Sequence, residues 1–412
     1  MPVGMTTLQL LFLIVFVLLL QLICGIGVSV WRWRNSLSAD APSTPANASS
    51  PAWPYWRNFR ITRRAFEDDA RTQCSFYFEP VDGAPLPPFK PGQFLTFSAP
   101  GGPSPLIGDG GLSGPITRCY SLSSRPDPAN YRVTIKRAAA PAAFPNAPPG
   151  ICSSYFHDRV QVGDIIKVKA PAGQFFLDAD PSRATVLVAG GIGITPMLSM
   201  LLWAFAEQPD RTLHLFYGVQ NGAVYAFRTT LEELAQSHPN FRLHVLYDTP
   251  SPSDGEGLHV SVGRVDIDLL KRTLPDGVAH TFYVCGPPAM MESIVPALRA
   301  WGIPTSDIRT EAFGPASLRP SVSAPEAGPF DVRFRRAGRS IIWNGQDASL
   351  LDFAERNGVE VDSGCRSGSC GTCEANIVSG SVRETQKPDY EVRDGHCLLC
   401  VSVPTSALVL EA

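Results

Sequence analysis

Four of the last five cysteines in the chain stand at spacings that suit a metal cluster. Cys365, Cys370 and Cys373 form a C-x4-C-x2-C group, and Cys397 and Cys400 are the candidates for a fourth ligand. This spacing is typical of [2Fe–2S] clusters, in which four thiolates bind two irons. The Gly and Ser residues of the loop can supply N–H donors to the sulfurs. The alternative is a structural zinc site, whose ligands usually come as two C-x2-C pairs. The C-x4-C-x2-C group favours the cluster.

A second candidate site is the segment RCYSLSS at residues 118–124. Its pattern predicts one β-strand with a cation at its head and hydroxyl groups at its end. An arginine can fork onto phosphate oxygens, a tyrosine can cover a ring face, and a serine can donate to a ring nitrogen. The segment could therefore seat a ring system that carries phosphate. The alternative is an ordinary half-buried strand of a β-barrel.

A glycine loop marks a third candidate site. Gly190, Gly191 and Gly193 follow an apolar strand and lead into a predicted helix at Thr195 and Pro196. Glycine lets the backbone approach a phosphate closely, and the helix N-terminus stabilises the anion. Such a turn also occurs in many α/β folds for steric reasons alone. The glycine loop therefore indicates a phosphate site only if other motifs of a nucleotide-binding fold accompany it.

Taken in order, these segments resemble motifs of the ferredoxin-reductase-like flavoproteins. RCYSLS at residues 118–123 matches the R-x-Y-S-x-S motif of that family, and GICSSYFH at residues 150–157 resembles its G-x-x-S-x-x-L-H segment. CGPPAM at residues 285–290 matches C-G-P-x-x-M, and EAF at residues 311–313 resembles E-x-F. The resemblance covers roughly residues 57–412.

The resemblance implies a role for each motif. Arg118 would contact phosphate, Tyr120 the ring and ribityl side of a flavin, and Ser121 the flavin N5. Cys285 would lie beside the nicotinamide, and Glu311 near the flavin. We therefore take Ser121, Cys285 and Glu311 as the predicted catalytic set. The other residues that the resemblance assigns to flavin and nicotinamide are Leu122, Val133, Thr134, Ile135, Lys136, Gly150, Ile151, Cys152, Ser153, Gly190, Gly191, Gly193, Thr195, Pro196, Gly286, Pro287, Met290 and Phe313.

The resemblance also names the cofactors. LLCVSVP at residues 398–404 matches the closing L-x-C-x-x-x-P strand of the ferredoxin part and selects Cys400 as the fourth cluster ligand. Similarity to the reductase half of flavohaemoglobins favours FAD, although phthalate-dioxygenase-type reductases use FMN. NADH and NADPH both stay open. The segment after residues 213–217 has no acidic residue for a ribose 2′-OH, and Arg228 is the one nearby cation.

A reductase of this kind would take hydride from NAD(P)H onto the flavin and pass electrons through the cluster to a protein acceptor. Oxygenases, desaturases and haem proteins are all compatible acceptors, because fold and cofactors do not name the partner. Two alternatives belong to other classes of function. One is an electron-transfer interaction module with a decayed flavin site. The other is a reductase that acts directly from flavin on a haem or nitric-oxide partner.

Composition limits the remaining possibilities. The chain of 412 residues is long enough for two or three domains, and its net charge of −3 gives no reason to expect nucleic acid. Residues 330–412 hold 12 acidic and 9 basic side chains, so the C-terminal part is the acidic one. The five cysteines outside the C-terminal group are scattered singly, which indicates a reducing compartment rather than a disulfide framework.

The N-terminal segment predicts a membrane anchor. Residues 8–30 form an almost unbroken apolar run, and WRWR follows at residues 31–34. The length fits one transmembrane helix, and the cations place the rest of the chain on the cytoplasmic side. The alternative is a cleaved signal peptide. Residues 1–34 are thus the predicted anchor, and the Pro/Ser-rich residues 35–56 a linker.

The predicted fold is multidomain. Short alternating strands punctuated by Pro and Gly predict an antiparallel β-barrel over residues 57–182, with a surface loop at 101–115. Strands alternating with helical stretches predict a doubly wound α/β domain over residues 183–313. A linker follows at residues 314–329. The resemblance implies an α+β ferredoxin domain of β-grasp type at residues 330–412.

Overall fold

A computed structural model describes most of the chain from residue 56 onward. The described ranges are residues 56–100, 116–140, 149–252, 259–313 and 329–412, without positions 128, 179, 367, 369, 387 and 389, together with residues 52, 53 and 254. The predicted anchor, nearly all of the first linker, the predicted loop at 101–115 and nearly all of the second linker lie outside these ranges. No helix within them is long and apolar enough to cross a membrane. Residues 51–412 form one compact unit.

Six antiparallel strands and one helix build the first part of this unit. They are β1 (Arg57–Phe66), β2 (Gln73–Pro80), β3 (Phe94–Ala99), β4 (Ile116–Ser121), β5 (Tyr131–Lys136), α1 (Ile151–Asp158) and β6 (Ile165–Ala172). The strands pair in the order β4-β3-β6-β1-β2-β5. A bridge between Leu122 and Val133 joins the two outermost strands and closes the sheet into a barrel. Phe156 of α1 packs edge-on against Phe76 and Phe97, with ring centroids 5.3 and 5.5 Å apart, and fills the interior.

Six parallel strands build the second part. The elements are β7 (Ala184–Gly190), α2 (Ile194–Glu207), β8 (Leu213–Val219), α3 (Arg228–Ser237), β9 (Phe241–Tyr247), β10 (Val260–Val262), α4 (Ile267–Thr273), β11 (His280–Gly286), α5 (Pro288–Ala300) and β12 (Ile308–Ala312). The order is β10-β9-β8-β7-β11-β12. All seven residues of β7 are buried, as expected for a central strand with both faces covered. The strand order reverses between β7 and β11, and ligands of such sheets bind at the carboxyl ends of the strands at this point.

The third part is a mixed sheet with one helix. Its elements are β13 (Phe330–Phe334), β14 (Arg339–Trp343), α6 (Leu350–Arg356), β15 (Glu374–Ser379), β16 (Val382–Glu384), β17 (His396–Leu398), β18 (Ser402–Pro404) and β19 (Leu408–Leu410). Five strands pair in the order β14-β13-β19-β15-β17, and β16 pairs with β18. Three cysteines lie in the long connection between α6 and β15, and Cys400 lies in a 3-10 turn after β17. The multidomain class is confirmed, whereas the transmembrane helix stays a prediction.

Candidate functional site

One cleft of about 900 Å³ is bordered by all three parts of the molecule. Its size falls in the range of cofactor sites. The barrel contributes β4, the end of β5 and the start of α1, and the parallel sheet contributes residues of α2, α5 and β12. The third part contributes Gly364, Cys365, Arg366 and Gln386. The predicted cofactor and cluster residues that line the cleft include Arg118, Tyr120, Ser121, Glu311, Phe313 and Cys365.

Strand β4 places three of the predicted flavin residues on this cleft. Arg118 is exposed there, and Tyr120 packs edge-on against Phe156 with ring centroids 5.7 Å apart. Burial raises the pKa of Tyr120 well above its usual value, and the neighbouring Cys152 adds to the shift. Tyr120 is therefore a neutral phenol that offers a ring face. The Ser121 hydroxyl donates to Glu311 Oε2 at 3.3 Å, so the structure brings these two predicted residues together.

The N-terminus of α1 opens on the same cleft. Gly150 precedes the helix, and a methyl group there would lie 2.8 Å from Ala138 Cβ. The Ser153 hydroxyl donates to the Gly150 carbonyl at 2.9 Å and accepts from the Ala138 N–H at 3.1 Å. Ser153 therefore holds the helix start in place. The backbone N–H groups at Ile151 and Cys152 are the donors that a first helical turn offers to an anion.

The residues from Leu122 to β5 divide between the barrel core and the cleft. Leu122, Val133 and Ile135 have fully buried side chains in the barrel, so only their backbone could reach a cofactor. Thr134 and Lys136 alternate with them and line the cleft. The Thr134 hydroxyl bonds the hydroxyls of Ser75 and Ser123 at 2.7 and 2.8 Å, which fixes its position.

The glycine loop and the CGPP segment meet at the switch point of the parallel sheet. A methyl group on Gly190 would lie 2.6 Å from Pro287 Cδ and 2.9 Å from Met290 Sδ. A methyl group on Gly193 would collide with the Cys285 carbonyl, whose carbon lies 2.6 Å away. A methyl group on Gly286 would collide with the Met290 side chain. The segments pack too closely for side chains at these positions.

The remaining residues of this region start the helix and buttress it. Gly191 has a φ of +52°, in the left-handed region that glycine adopts without strain. The Thr195 hydroxyl donates to the Ile192 carbonyl at 3.0 Å, and Thr195 lines the cleft. Pro196 is buried in the first turn of α2. The geometry suits a close approach between backbone and phosphate.

Cys285 lies behind the cleft wall. Its side chain is fully buried, and it pairs with Glu311 across β11 and β12. Burial raises the pKa of the Cys285 thiol well above its usual value, and the charge of Glu311 adds to the shift. Cys285 is therefore a neutral thiol, which packs and does not act as a nucleophile.

The four predicted ligands form two pairs, three of them in the cysteine loop, residues 364–373, and Cys400 in the turn after β17. The Cys365 N–H donates to Cys370 Sγ, and the Cys370 N–H donates to Cys365 Sγ, each at 3.3 Å. Cys373 and Cys400 form the other pair, and their hydrogen bond lowers the pKa of Cys373. In the described part of the chain, no three His, Cys, Asp or Glu side chains converge on a single metal position. Two thiol pairs fit a two-iron cluster better than a one-zinc site.

Cys397, the competing ligand, is placed differently from Cys400. It lies in β17 opposite Ala375, 3% exposed within the core of the third part. Burial raises the pKa of the Cys397 thiol to about 12. Cys400 lies in the 3-10 turn Leu399–Val401 and is partly exposed. These positions favour Cys400 as the fourth ligand.

Several residues near the cleft were missed by the sequence analysis. Lys169 of β6 reaches the cysteine loop, with Nζ 3.4 Å from Thr372 Oγ1. The Cys119 thiol hydrogen-bonds with Cys370 and raises the pKa of Cys370 to about 11. Gln386 of the third part lines the cleft. Neither the spacing nor the residue type of Lys169 distinguished it from other strand lysines.

Charged residues of both signs contact the loop after β8: Arg228 begins α3, and Asp254 follows β9. Arg228 donates to the Gly222 carbonyl at 3.2 Å and to the Tyr247 hydroxyl at 2.9 Å. The Gly222 N–H donates to Asp254 Oδ1 at 3.0 Å. In doubly wound folds this loop meets the ribose 2′ position of the dinucleotide. Asp254 supplies the carboxylate that no nearby sequence position offered.

Comparisons with known proteins agree with this arrangement. Residues 187–295 match the oxidoreductase NAD-binding domain family, and residues 335–405 match the 2Fe-2S iron-sulfur cluster binding domain family. The flavohemoprotein of Rhizobium meliloti is 36% identical over 264 residues, which cover 64% of this chain and 62% of that protein. The chain thus spans less than two thirds of that relative's length. The flavohemoprotein of Halalkalibacterium halodurans is 32% identical over 297 residues, 70% of this chain and 69% of that protein.

A solved structure shares the whole order of parts. Phthalate dioxygenase reductase, described as a modular structure for electron transfer from pyridine nucleotides to [2Fe–2S], is 28% identical, with a TM-score of 0.51. The match covers 87% of this chain and 98% of that one. Barrel, parallel sheet and cysteine-bearing sheet are therefore common to both. The chain belongs to the ferredoxin-reductase-like, flavohemoprotein-related flavoprotein reductases and carries a C-terminal 2Fe-2S domain.

Proposed function

We propose that this protein is an NAD(P)H-dependent reductase that passes electrons through FAD and a [2Fe–2S] cluster to a protein acceptor. The observation that supports it best is the shared cleft. Its walls include the flavin strand residue Ser121, the sheet residue Glu311 and the cluster ligand Cys365. A flavin bound there would contact both the nucleotide-binding part and the cysteine loop.

The chain's own residues bind and align the cofactors. Arg118 and the first N–H groups of α1 would hold the flavin phosphates, and Tyr120 would cover the ring. The bond from Ser121 to Glu311 fixes the serine hydroxyl at the cleft wall, where it can meet the flavin N5. When bound, the flavin converts a two-electron hydride into single electrons, and the cluster stores one of them. Hydride transfer needs alignment more than it needs an acid or a base.

The nicotinamide would enter at the switch point of the parallel sheet. Gly190, Gly191 and Gly193 leave backbone room for its phosphates, and Cys285 would support the ring from behind. The thiol is buried and neutral, so Cys285 would pack behind the wall that receives the ring and keep water out of it. The intact glycines and Cys285 argue against the alternative of an interaction module with decayed sites, and flavin absorbance of the purified protein tests it.

The surface charge of the cluster part indicates which kind of protein could accept the electrons. The cluster part is acidic, with 12 acidic against 9 basic side chains in residues 330–412, and a basic protein surface would complement it. An oxygenase, a desaturase or a haem protein with such a surface fits. We also propose that residues 8–30 anchor the protein in a membrane with its cofactor-binding parts facing the cytoplasm.

Two serine variants test the route of the electrons. Cys400→Ser should lose the cluster while the barrel and the parallel sheet stay folded, because the fourth ligand lies only in the third part. NAD(P)H should still bleach the flavin, and ferricyanide should still be reduced. The rate of cytochrome c reduction should fall to a small fraction of the wild-type rate. Cys397→Ser is the matched control and should keep both the cluster and the cytochrome c activity.

Two results would contradict this route. Loss of the cluster in Cys397→Ser but not in Cys400→Ser would show that the ligand assignment is wrong. Wild-type cytochrome c rates in both variants would show that electrons leave from the flavin directly, as in the alternative of a haem or nitric-oxide partner.

A further inference from the structure

One face of the barrel is in direct contact with the cysteine loop. Cys119 of β4, Thr96 of β3 and Lys169 of β6 are cross-strand neighbours, since Thr96 pairs with both of the others. Paired residues point to the same side of a sheet. Cys119 contacts Cys370, and Lys169 contacts Thr372. This row of side chains therefore faces the predicted cluster.

The contact is close. A methyl group on Gly364 would lie 2.9 Å from Cys370 Sγ and 3.4 Å from Thr117 Cγ2 of β4. The loop thus packs against the strand that carries the flavin residues Arg118 and Tyr120. The strand β4 meets the flavin cleft with these residues and the cysteine loop with Thr117 and Cys119.

Lys169, Thr372 and Cys370 form a chain of polar contacts. Lys169 Nζ lies 3.4 Å from Thr372 Oγ1, which lies 3.2 Å from Cys370 Sγ. The Cys370 thiol donates to Thr372 Oγ1, and the Lys169 ammonium group, which can only donate, bonds the same oxygen. A thiolate bound to iron has no proton to donate, so in the cluster-bound state the Thr372 hydroxyl would be the donor and the Cys370 sulfur the acceptor. Lys169 is half-buried, with its Nζ 5.1 Å from the centroid of the Trp56 ring. Its charge is therefore held near the loop rather than free in solvent.

We propose that Lys169 and Thr372 are positioning residues that direct a hydrogen bond onto the Cys370 sulfur and raise the reduction potential of the cluster. The inference rests on the proposed function, because it requires a [2Fe–2S] cluster on Cys370. Reduction adds a negative charge to the cluster. A hydroxyl donor on a ligand sulfur and a nearby cation both stabilise that charge. The relay thus makes the cluster a better acceptor for electrons from the flavin across β4.

The variants remove the relay one link at a time. Thr372→Val deletes the hydroxyl, Thr372→Ser restores it, and Lys169→Met removes the cation that orients it. Lys167→Met is the matched control, because Lys167 lies two residues earlier on the same strand and face but is exposed. The readout is a redox titration of the purified full chain followed by the electron paramagnetic resonance signal of the reduced cluster, with iron content measured in parallel.

We expect Thr372→Val to lower the equilibrium constant for cluster reduction about tenfold, which is about 59 mV for a one-electron couple. Lys169→Met should lower it about threefold, while Thr372→Ser and Lys167→Met should stay at the wild-type potential. The flavin potential should stay constant in all four variants.

A role in domain contact alone would leave the potential unchanged in every variant that keeps its iron, and that result would overturn the proposal. An equal shift in Lys167→Met would also overturn it, because the effect would then be one of overall charge. If Thr372→Val loses its iron, the potential of Lys169→Met tests the proposal instead. Its substitution lies on the barrel and not on the loop that carries the cluster ligands. A wild-type chain without the [2Fe–2S] signal would refute the proposed function itself, which separates the two failures.

Discussion

The close backbone contact at the proposed nicotinamide site, between Gly193 and Cys285, gives a sharp test of the structure. Gly193 has φ −60° and ψ −8°, so alanine could adopt its backbone conformation without strain. The added methyl group, however, would collide with the carbonyl oxygen of Cys285 and lie 2.6 Å from the carbonyl carbon and 3.1 Å from the Gly286 nitrogen. All three are backbone atoms at the end of β11, so no side-chain rotation can relieve the contact. Gly193→Ala must push the glycine loop away from β11.

The expected cost follows from the overpacking that this contact imposes. Forcing an extra methyl group into a packed site costs about 1–3 kcal/mol, and a rigid backbone neighbour places this variant near the upper end. The midpoint of urea unfolding of the parallel sheet should therefore move to a lower urea concentration. The KM for NAD(P)H in ferricyanide reduction should rise about tenfold or more, while flavin content stays that of the wild type.

Gly218→Ala is the matched control for this variant. Gly218 also lies in the parallel sheet, but the nearest atom to its added methyl group would be Val265 Cγ2 at 3.5 Å, an ordinary contact. We expect its stability and KM to change little. Wild-type stability and KM in Gly193→Ala would refute the close packing of the two loops, and equal damage in both variants would show that any alanine in this sheet is harmful.

Four further predictions follow from individual residues. Arg118→Ala should weaken flavin binding about tenfold to a hundredfold, measured by flavin retention on dilution, because a charge-assisted phosphate contact of about 1.5–3 kcal/mol is lost; full retention would place the phosphate elsewhere. Asp254→Asn should raise the ratio of kcat/KM for NADPH to that for NADH about fivefold, since roughly 1 kcal/mol of repulsion toward a 2′-phosphate disappears; an unchanged ratio would remove Asp254 from the coenzyme site. Burial lowers the pKa of His214 from 6.5 to about 4. As the pH falls below 6.5, the unfolded chain therefore binds a proton that the folded chain does not bind, and the free energy of unfolding falls. His214→Phe should therefore abolish about 2 kcal/mol of the loss in unfolding free energy between pH 7 and pH 5, and an identical acid loss in the variant would contradict this. Deleting residues 1–34 should release the protein from membranes with full ferricyanide activity, and loss of flavin on deletion would show that the segment does more than anchor.

Local constraints explain what the sequence predicted well. The spacing of Cys365, Cys370 and Cys373 is set by the ligand geometry of one loop. The glycines at 190 and 193 are forced by contact with a segment that has its own signature at residues 285–290. Strand β7 is apolar except for Thr185, and this composition marks a central parallel strand because both of its faces are covered. Such features are visible in a few consecutive residues.

Contacts between distant segments could not be predicted in the same way. Lys169 and Thr372 are 203 residues apart, and Asp254 reaches Gly222 from 32 residues away. Strand β10 has only three residues, partly exposed to fully exposed, so no alternating pattern marks it. The hydroxyl of Ser153, a residue that the resemblance assigns to the cofactors, holds the start of α1. In each case the contacts of the residue are set by tertiary packing, which the type of the residue does not specify.

The central claim is that electrons pass from NAD(P)H through the flavin to the cluster within one chain. Anaerobic mixing of the purified protein with NADH or NADPH tests it most directly, with flavin absorbance and the electron paramagnetic resonance signal of the reduced cluster followed over time. Since the flavin cleft and the cysteine loop share a wall, flavin bleaching should be followed by about one reduced cluster per chain, at a rate independent of protein concentration. A cluster that stays oxidised while the flavin bleaches, or a rate proportional to protein concentration, would contradict the claim.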